Sequence, residues 1–231
     1  MKNRDFIITS LQPWDIEIGS TIKNTALEIS KNNRVLYINT PMDYSTRLRG
    51  NKNKAWTRRM DVIKKQASPI RQINEHMWIA DCPFCVLPVG GLPTTCLFDW
   101  INRINNRKIA DYIRQITTQL NFNNYIHLID TDIYRSQYLK EYLTPSLSIY
   151  YCRDFVIGES YWKKNGVRLE PLLAAKSDIV LANSTHFAER FRQYNRHTFS
   201  IETGVNLALY DGRKKWLIPE DIKPIPHPII G

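Results

Sequence analysis

Phe6-Ile7-Ile8, then Ser20 to Lys31, then Val35-Leu36-Tyr37-Ile38 is the stretch on which the fold turns. The first run is short and apolar and is closed by Thr9-Ser10 and a loop around Pro13, as a buried strand requires. In the second, Ile22, Ala26 and Ile29 recur at helical spacing, and Asn32-Asn33 supplies a stop. The third is again a continuous apolar run. A strand, a helix and a strand within about 35 residues match the needs of a right-handed parallel crossover.

The same alternation continues along the chain. Met77 to Ala80 reads as a strand, and Gly90-Gly91 between Pro88 and Pro93 as a loop. Two helical patterns follow, the second carrying Ile109, Tyr112, Ile113, Ile116 and Leu120 on one face. Ile126 to Ile129 is a strand, Arg135 to Leu143 a helix and Leu147 to Tyr151 a strand. Glu170 to Lys176 is helical and Ile179 to Leu181 extended. Ser184 then caps a helix carrying Phe187, Ala188 and Phe191, and Thr198 to Ile201 closes the series. Strands this apolar suit a sheet covered on both faces. The expected fold is α/β: a Rossmann-like, doubly wound, mostly parallel sheet with helices on both faces. It occupies residues 1–212. Residues 213–231 read as a linker, with Pro219, Pro224, Pro226 and Pro228, followed by Ile229-Ile230-Gly231 as the opening of a further domain.

Composition limits the function classes. No stretch resembles a secretory signal and no run of about 18 apolar residues occurs, so a cytoplasmic setting is expected. Of the net charge of +10, +8 falls between Arg47 and Arg71. Its basic residues are Arg47, Arg49, Lys52, Lys54, Arg58, Arg59, Lys64, Lys65 and Arg71, against Asp61 alone. A charge this local points to one patch for an anionic membrane surface or a phosphorylated acceptor, and to peripheral contact with the inner face of a membrane. Its largest apolar groups are Trp56 and Met60, too few to stack nucleic-acid bases, so no specific nucleic acid is expected. Cys82-Pro83-Phe84-Cys85 lacks the second close pair of a zinc site and leads to a loop instead of opening a redox helix. No metal is expected, including at Asp130-Thr131-Asp132, whose carboxylates fit caps better than ligands. His127, inside an apolar strand, reads as a buried, hydrogen-bonded ring.

In open parallel sheets, ligands bind beyond the carboxyl ends of the strands, where the strand order reverses. That rule selects Gly19-Ser20 at a helix start, then Asp130 and Asp132, Arg153-Asp154, Asn183-Ser184, and Thr203-Gly204 with Asn206. A helix start there suits an anionic or hydroxyl-rich ligand. No G-x-G-x-x-G and no Walker lysine loop is present, which argues against a dinucleotide or nucleoside triphosphate site.

The run Ser177-Asp178-Ile179-Val180-Leu181-Ala182-Asn183-Ser184, a helix, and Ile201-Glu202-Thr203-Gly204-Val205-Asn206 resembles the end of the N-terminal domain of family 4-like, GT-B fold retaining glycosyltransferases. Thr203 and Asn206 replace that family's usual Asn and Asp. Val35 to Pro41, Ile149 to Phe155, Glu170 to Leu173 and Pro226 to Gly231 resemble stretches of a narrower group, the teichuronic-acid-biosynthesis-like enzymes. The resemblance implies one half of a GT-B fold, the acceptor side of an enzyme moving a sugar from a UDP- or GDP-sugar to a glycan or lipid-linked acceptor in cell-surface polysaccharide synthesis. It implies no tightly bound cofactor. The donor sits mainly on a second domain with a Glu-x7-Glu element, which these residues do not contain. The fragment alone is therefore expected to be inactive. The site it implies has Asp154, Asp130 and Asp132 as catalytic candidates. Gly19, Ser20, Arg153, Ser184, Thr203, Gly204 and Asn206 would line the cleft. The competing expectation is a non-catalytic Rossmann-like binding module whose basic segment meets a membrane or polyanion.

Overall fold

The computed structural model describes residues 1–16, 19–50, 53–204, 213, 217–218 and 220–226. Lys52, Asn206 and the expected strand start Ile229-Ile230-Gly231 lie outside the described residues. β1 (Asp5–Ser10), α1 (Thr21–Ser30) and β2 (Arg34–Ile38) form the expected crossover, with β1 and β2 parallel from Asp5↔Arg34 to Thr9↔Ile38. Then come α2 (Tyr44–Arg49), α3 (Lys54–Ile63), β3 (Ile70–Asn74), β4 (Met77–Ala80) and α4 (Thr95–Gln119). The second half holds β5 (Ile126–Asp130), α5 (Leu139–Leu143), β6 (Leu147–Cys152), α6 (Ser160–Lys176), β7 (Ile179–Ala182), α7 (Thr185–Arg192) and β8 (Thr198–Ser200).

Among the described residues one eight-stranded sheet forms, in the order β3-β4-β2-β1-β5-β6-β7-β8. Every pairing is parallel except β3 with β4. The chain winds outward from β1 through β2 to β4, returns to the other side of β1 at β5, and winds outward again to β8. The order therefore reverses between β1 and β5, which makes this a Rossmann-like, doubly wound α/β fold.

Side-chain alternation sends one set of strand residues to each face. Ile7, Leu36 and Ile38 pack with Ile109, Ile113 and Ile116 of α4 and Leu139 of α5. On the same face, Ile129, Tyr150 and Val180 pack with Leu169 and Leu173 of α6 and Phe191 of α7. The opposite set, Phe6, Ile8, Val35, Tyr37 and Leu128, packs under Ile22 and Ala26 of α1. On that face, Ile149 and Leu181 are only partly buried, and Phe199, the register partner of Leu181, is exposed.

The structure departs from the sequence reading at four places, one being the helix expected from Arg135, which begins at Leu139 after a turn. The basic stretch holds two short helices, because Asp43 and Asn53 cap them by accepting from Thr46 N–H and Trp56 N–H, each at 2.7 Å. The stretch also contains β3, which carries no apolar alternation because it is a half-exposed edge strand. The two helical patterns after Gly91 are one helix of 25 residues. Asn102, Asn105 and Asn106 lie on its buried side and interrupt the apolar period, yet each is hydrogen-bonded. Asn102 and Asn106 donate to the Tyr134 carbonyl at 2.9 and 3.0 Å, and Asn105 bonds both the N–H and the C=O of Leu87. Finally, α6 begins ten residues before the expected Glu170, at Ser160, with Pro171 inside it. Glu170 itself is fully buried and accepts from the Tyr150 hydroxyl at 2.8 Å and from Arg190 at 2.6 Å.

Candidate functional site

Ser10 and Asp130 are register partners and the last residues of the two strands flanking the reversal. The Ser10 hydroxyl donates to Asp130 at 2.7 Å and accepts from the Gln12 N–H at 3.0 Å. Arg153 follows β6 directly. Its guanidinium forks onto the Asp130 carboxylate, Nε at 2.9 Å and an Nη at 3.3 Å, while the other Nη lies 3.2 Å from Asp154. The Asp130 carboxylate has no exposed surface, whereas the Asp154 side chain is 58% exposed. Burial works against the charge on Arg153, but the Asp130 carboxylate outweighs it and raises the pKa. The outer Nη of the fork faces the exposed Asp154.

Gln12 ties the loop after β1 to this pair. Its side-chain carbonyl oxygen accepts from Ser20 and from Arg153, and its backbone carbonyl accepts from the Tyr37 hydroxyl at 2.6 Å. Burial, the largest influence, pushes the Tyr37 phenol up, so it stays a neutral donor. Thr131, next along β5, holds φ at +59°, a left-handed conformation strained for a β-branched residue. Two bonds to the Tyr151 carbonyl hold it there, from its N–H at 3.0 Å and its hydroxyl at 3.3 Å.

A second polar network covers the ends of β2 and β4. The Asn39 amide accepts from Trp14 N–H at 2.7 Å and donates to Asp81 at 2.7 Å and to Asp15 at 3.1 Å. Arg58 of α3 pairs with the fully buried Asp81 at 3.1 Å, and Arg71 of β3 with Asp15 at 2.9 Å. The two networks brace the loop after β1 from both sides.

The expected site residues thus divide. Asp130, Arg153, Asp154 and Ser20 meet at the reversal, together with Ser10, which was not among them. Asp130 is too buried and too engaged to meet an acceptor hydroxyl; it positions Arg153. Asp132 is also buried and accepts from the Arg135 N–H at 3.1 Å as a turn cap, and burial raises its pKa. Ser20 occupies the helix-start position but donates to Gln12 and caps nothing, and Gly19 beside it is exposed. Ser184 is a cap, accepting from Phe187 N–H at 3.3 Å. Thr203 and Gly204 are exposed beyond β8, four strand positions from β1 or about 19 Å, so they do not share the crevice. The basic patch also divides: Arg47, Arg49, Lys54, Lys64 and Lys65 are exposed, while Arg58 and Arg59 are mostly buried. Sequence reasoning missed Gln12, Asp15, Asn39, Asp81 and Arg135. Asn39 and Asp81 directly follow strands, so the strand-end rule would have found them; nothing local marks the others.

Two further observations bear on chemistry. Cys82, Cys85 and Cys152 are buried and unpaired, and burial pushes the Cys82 thiol up to about 12, which leaves it inert at neutral pH. Among the described residues no three His, Cys, Asp or Glu side chains are grouped to hold a metal ion. A concavity of about 650 Å³ lies at the opposite edge of the sheet beside Asn3, Asp5 and Arg34. Its Arg34–Asp5 pair is already bidentate, at 2.8 and 2.7 Å, so these two charges are taken up by each other. The carboxyl edge is the better site on topology. Among the described residues no helix is long and apolar enough to cross a membrane. No protein-family model matches the chain, and no curated protein matches it.

Proposed function

We propose that the chain is the acceptor-side domain of a nucleotide-sugar-dependent glycosyltransferase, moving a sugar from a UDP- or GDP-sugar to a glycan or lipid-linked acceptor in cell-surface polysaccharide synthesis. One observation carries this reading: a mixed donor and acceptor surface at the sheet's reversal point, made of Arg153, Asp154, Gln12 and Ser20. A sugar hydroxyl both donates and accepts, and an Arg–Asp pair open at one end offers both partners. Asp154 would accept from the acceptor hydroxyl. Arg153, held by buried Asp130, would donate to it and stabilise charge that develops during transfer. The donor nucleotide is assigned to a second domain, since these residues hold no Glu-x7-Glu element.

The test is transfer from radiolabelled UDP- and GDP-sugars to glycan and polyprenyl-phosphate acceptors by the full-length gene product. Asp154→Asn should lower kcat by at least about ten-fold with the fold intact. No turnover of any nucleotide sugar, or wild-type turnover by the variant, removes the assignment.

A second reading, a non-catalytic module that meets an anionic membrane, is favoured by Leu48. Its side chain is 86% exposed on α2 between exposed Arg47 and Arg49. Vesicle binding without sugar transfer would select it.

A further inference from the structure

Between the loop after β4 and the start of α6 lies a further concavity of about 310 Å³, at the small end of the range for ligand pockets. Gly90 of that loop lines one side, Tyr161, Lys164 and Asn165 of α6 the other, and buried Phe98 and Tyr134 close it from within. The packing around it is tight. A Cβ on residue 90 would stand 2.6 Å from Cε2 of Tyr161, so any side chain there would push that ring aside. Gly166 packs as closely on the turn after β5, with the place of its Cβ 2.7 Å from Ile133 Cδ1. The Tyr134 hydroxyl bonds the carbonyls of Tyr161 and Trp162 at 3.2 and 2.9 Å, and Lys164 donates to the Leu92 carbonyl at 2.6 Å. Loop, turn and helix are thus tied together around the cavity. Tyr161 is 44% exposed, and Trp162 stands edge-on to its ring with the centroids 5.0 Å apart.

Asn165 is the group in this cavity that the fold does not use. The residue is only 5% exposed, yet among the described residues no protein group hydrogen-bonds its side-chain amide. The other buried asparagines are all engaged. Asn33, Asn39, Asn102, Asn105, Asn106 and Asn195 each bond through the side chain. An amide withdrawn this far from solvent without a partner costs stability, and an apolar residue of similar size would serve packing better. The side of Asn165 that stays open faces the cavity.

We propose that this cavity is a subsite for one pyranose ring, with Tyr161 against its C–H face and the Asn165 amide on its hydroxyl rim. A pyranose carries an apolar face and a rim of hydroxyls that each donate and accept. The amide offers both an acceptor and two donors, and Lys164 keeps two N–H groups beyond the one on Leu92. Other ligand classes fit less well. Among the described residues no Asp or Glu lines the cavity, so a cation finds no counter-charge. A single ammonium already on a carbonyl is a poor anion site. Phe98 and Tyr134 are buried, so Tyr161 is the ring open to a ligand, and a nucleobase is not held between two rings. The subsite lies at the same sheet edge as Asp154, with α6 beginning six residues after it. Its use for a second ring of the acceptor rests on the transferase reading; the binding of a sugar does not.

The experiment is saturation-transfer NMR and calorimetric titration of the chain with the methyl glycosides of glucose, galactose, mannose and N-acetylglucosamine, and with uridine and inorganic phosphate. At least one glycoside should receive saturation at its ring protons, and uridine and phosphate should not bind. Asn165→Leu and Tyr161→Ala should each weaken glycoside binding by about ten-fold or more, whereas Tyr161→Phe, which keeps the ring, weakens it less. Gly90→Ala should weaken it too, by displacing Tyr161. Without ligand, Asn165→Leu should melt no lower than wild type, since no hydrogen bond of the protein is lost; a bound glycoside should raise the melting temperature of wild type and not of this variant. Binding of no glycoside, binding that Asn165→Leu and Tyr161→Ala both keep, or uridine or phosphate bound in place of the sugars overturns the subsite. Sugar transfer by the full-length product that Asn165→Leu and Tyr161→Ala leave unchanged would remove the acceptor role and keep the transferase. Glycoside binding lost in both variants, without any transfer by the full-length product, would keep the subsite and remove the transferase.

Discussion

Asp130→Asn tests whether the crevice depends on one buried charge. Asp130 accepts the Ser10 hydroxyl at 2.7 Å and the Arg153 fork at 2.9 and 3.3 Å, with no exposed surface of its own. Asparagine keeps the shape and the Ser10 bond but loses the charge and turns an N–H toward the guanidinium. Removing one member of a buried ion pair costs about 3–5 kcal/mol. The Arg153 side chain is 16% exposed and keeps Asp154 at 3.2 Å, so part of its solvation returns. That sets the loss at the low end, about 3 kcal/mol. For a chain of this size the melting temperature should fall by about 6–12 °C. Urea denaturation followed by the fluorescence of the six tryptophans gives the energy directly. The double variant Asp130→Asn with Arg153→Met carries no unpaired buried charge and should recover about 2 kcal/mol of the loss. Melting of Asp130→Asn within about 1 °C of wild type would refute the reasoning, because the pair would then not hold the crevice.

Two further outcomes follow from burial. His127 is fully buried, its Nε2 on the Thr9 hydroxyl at 2.9 Å and its Nδ1 without a partner, and burial pushes its pKa down to about 3. Between about pH 6.5 and 3 only the unfolded chain takes up this proton, so stability falls as pH is lowered through that window, by up to about 1.4 kcal/mol per pH unit. Urea midpoints at several pH values should show a shallower loss in His127→Gln; equal slopes would mean that the ring protonates inside the fold. Among the four cysteines only Cys96 is exposed, so a disulfide-exchange reagent should label one thiol rapidly in the native chain and the other three after denaturation. Rapid native labelling of a second thiol would contradict the burial of Cys82, Cys85 and Cys152.

Apolar period and strand-end punctuation carried most of the fold. Phe6 to Ile8, Val35 to Ile38 and Ile126 to Ile129 are continuous apolar runs because both sheet faces are covered there, and such runs need no tertiary information to be recognised. The reading failed where polar residues are buried. Asn102, Asn105 and Asn106 satisfy carbonyls and N–H groups of Tyr134, Leu87 and Tyr138, contacts that exist only after folding, so one helix looked like two. β3 was hidden because an edge strand has no second neighbour to demand an apolar pattern.

The candidate site was legible in position and not in role. Ser20, Asp130, Arg153 and Asp154 follow from strand ends alone. That Asp130 is buried beneath Arg153 while Asp154 stays open depends on which strands are neighbours, and strand order is a long-range property with no local signal. The run from Arg47 to Arg71 is the clearest case. Its excess charge is a property of sequence. Only the packing of α3 and β3 onto Asp81 and Asp15 decides that Arg58 and Arg71 are neutralised while Arg47 and Arg49 remain in solvent, because ion pairs form between elements that the chain order keeps far apart.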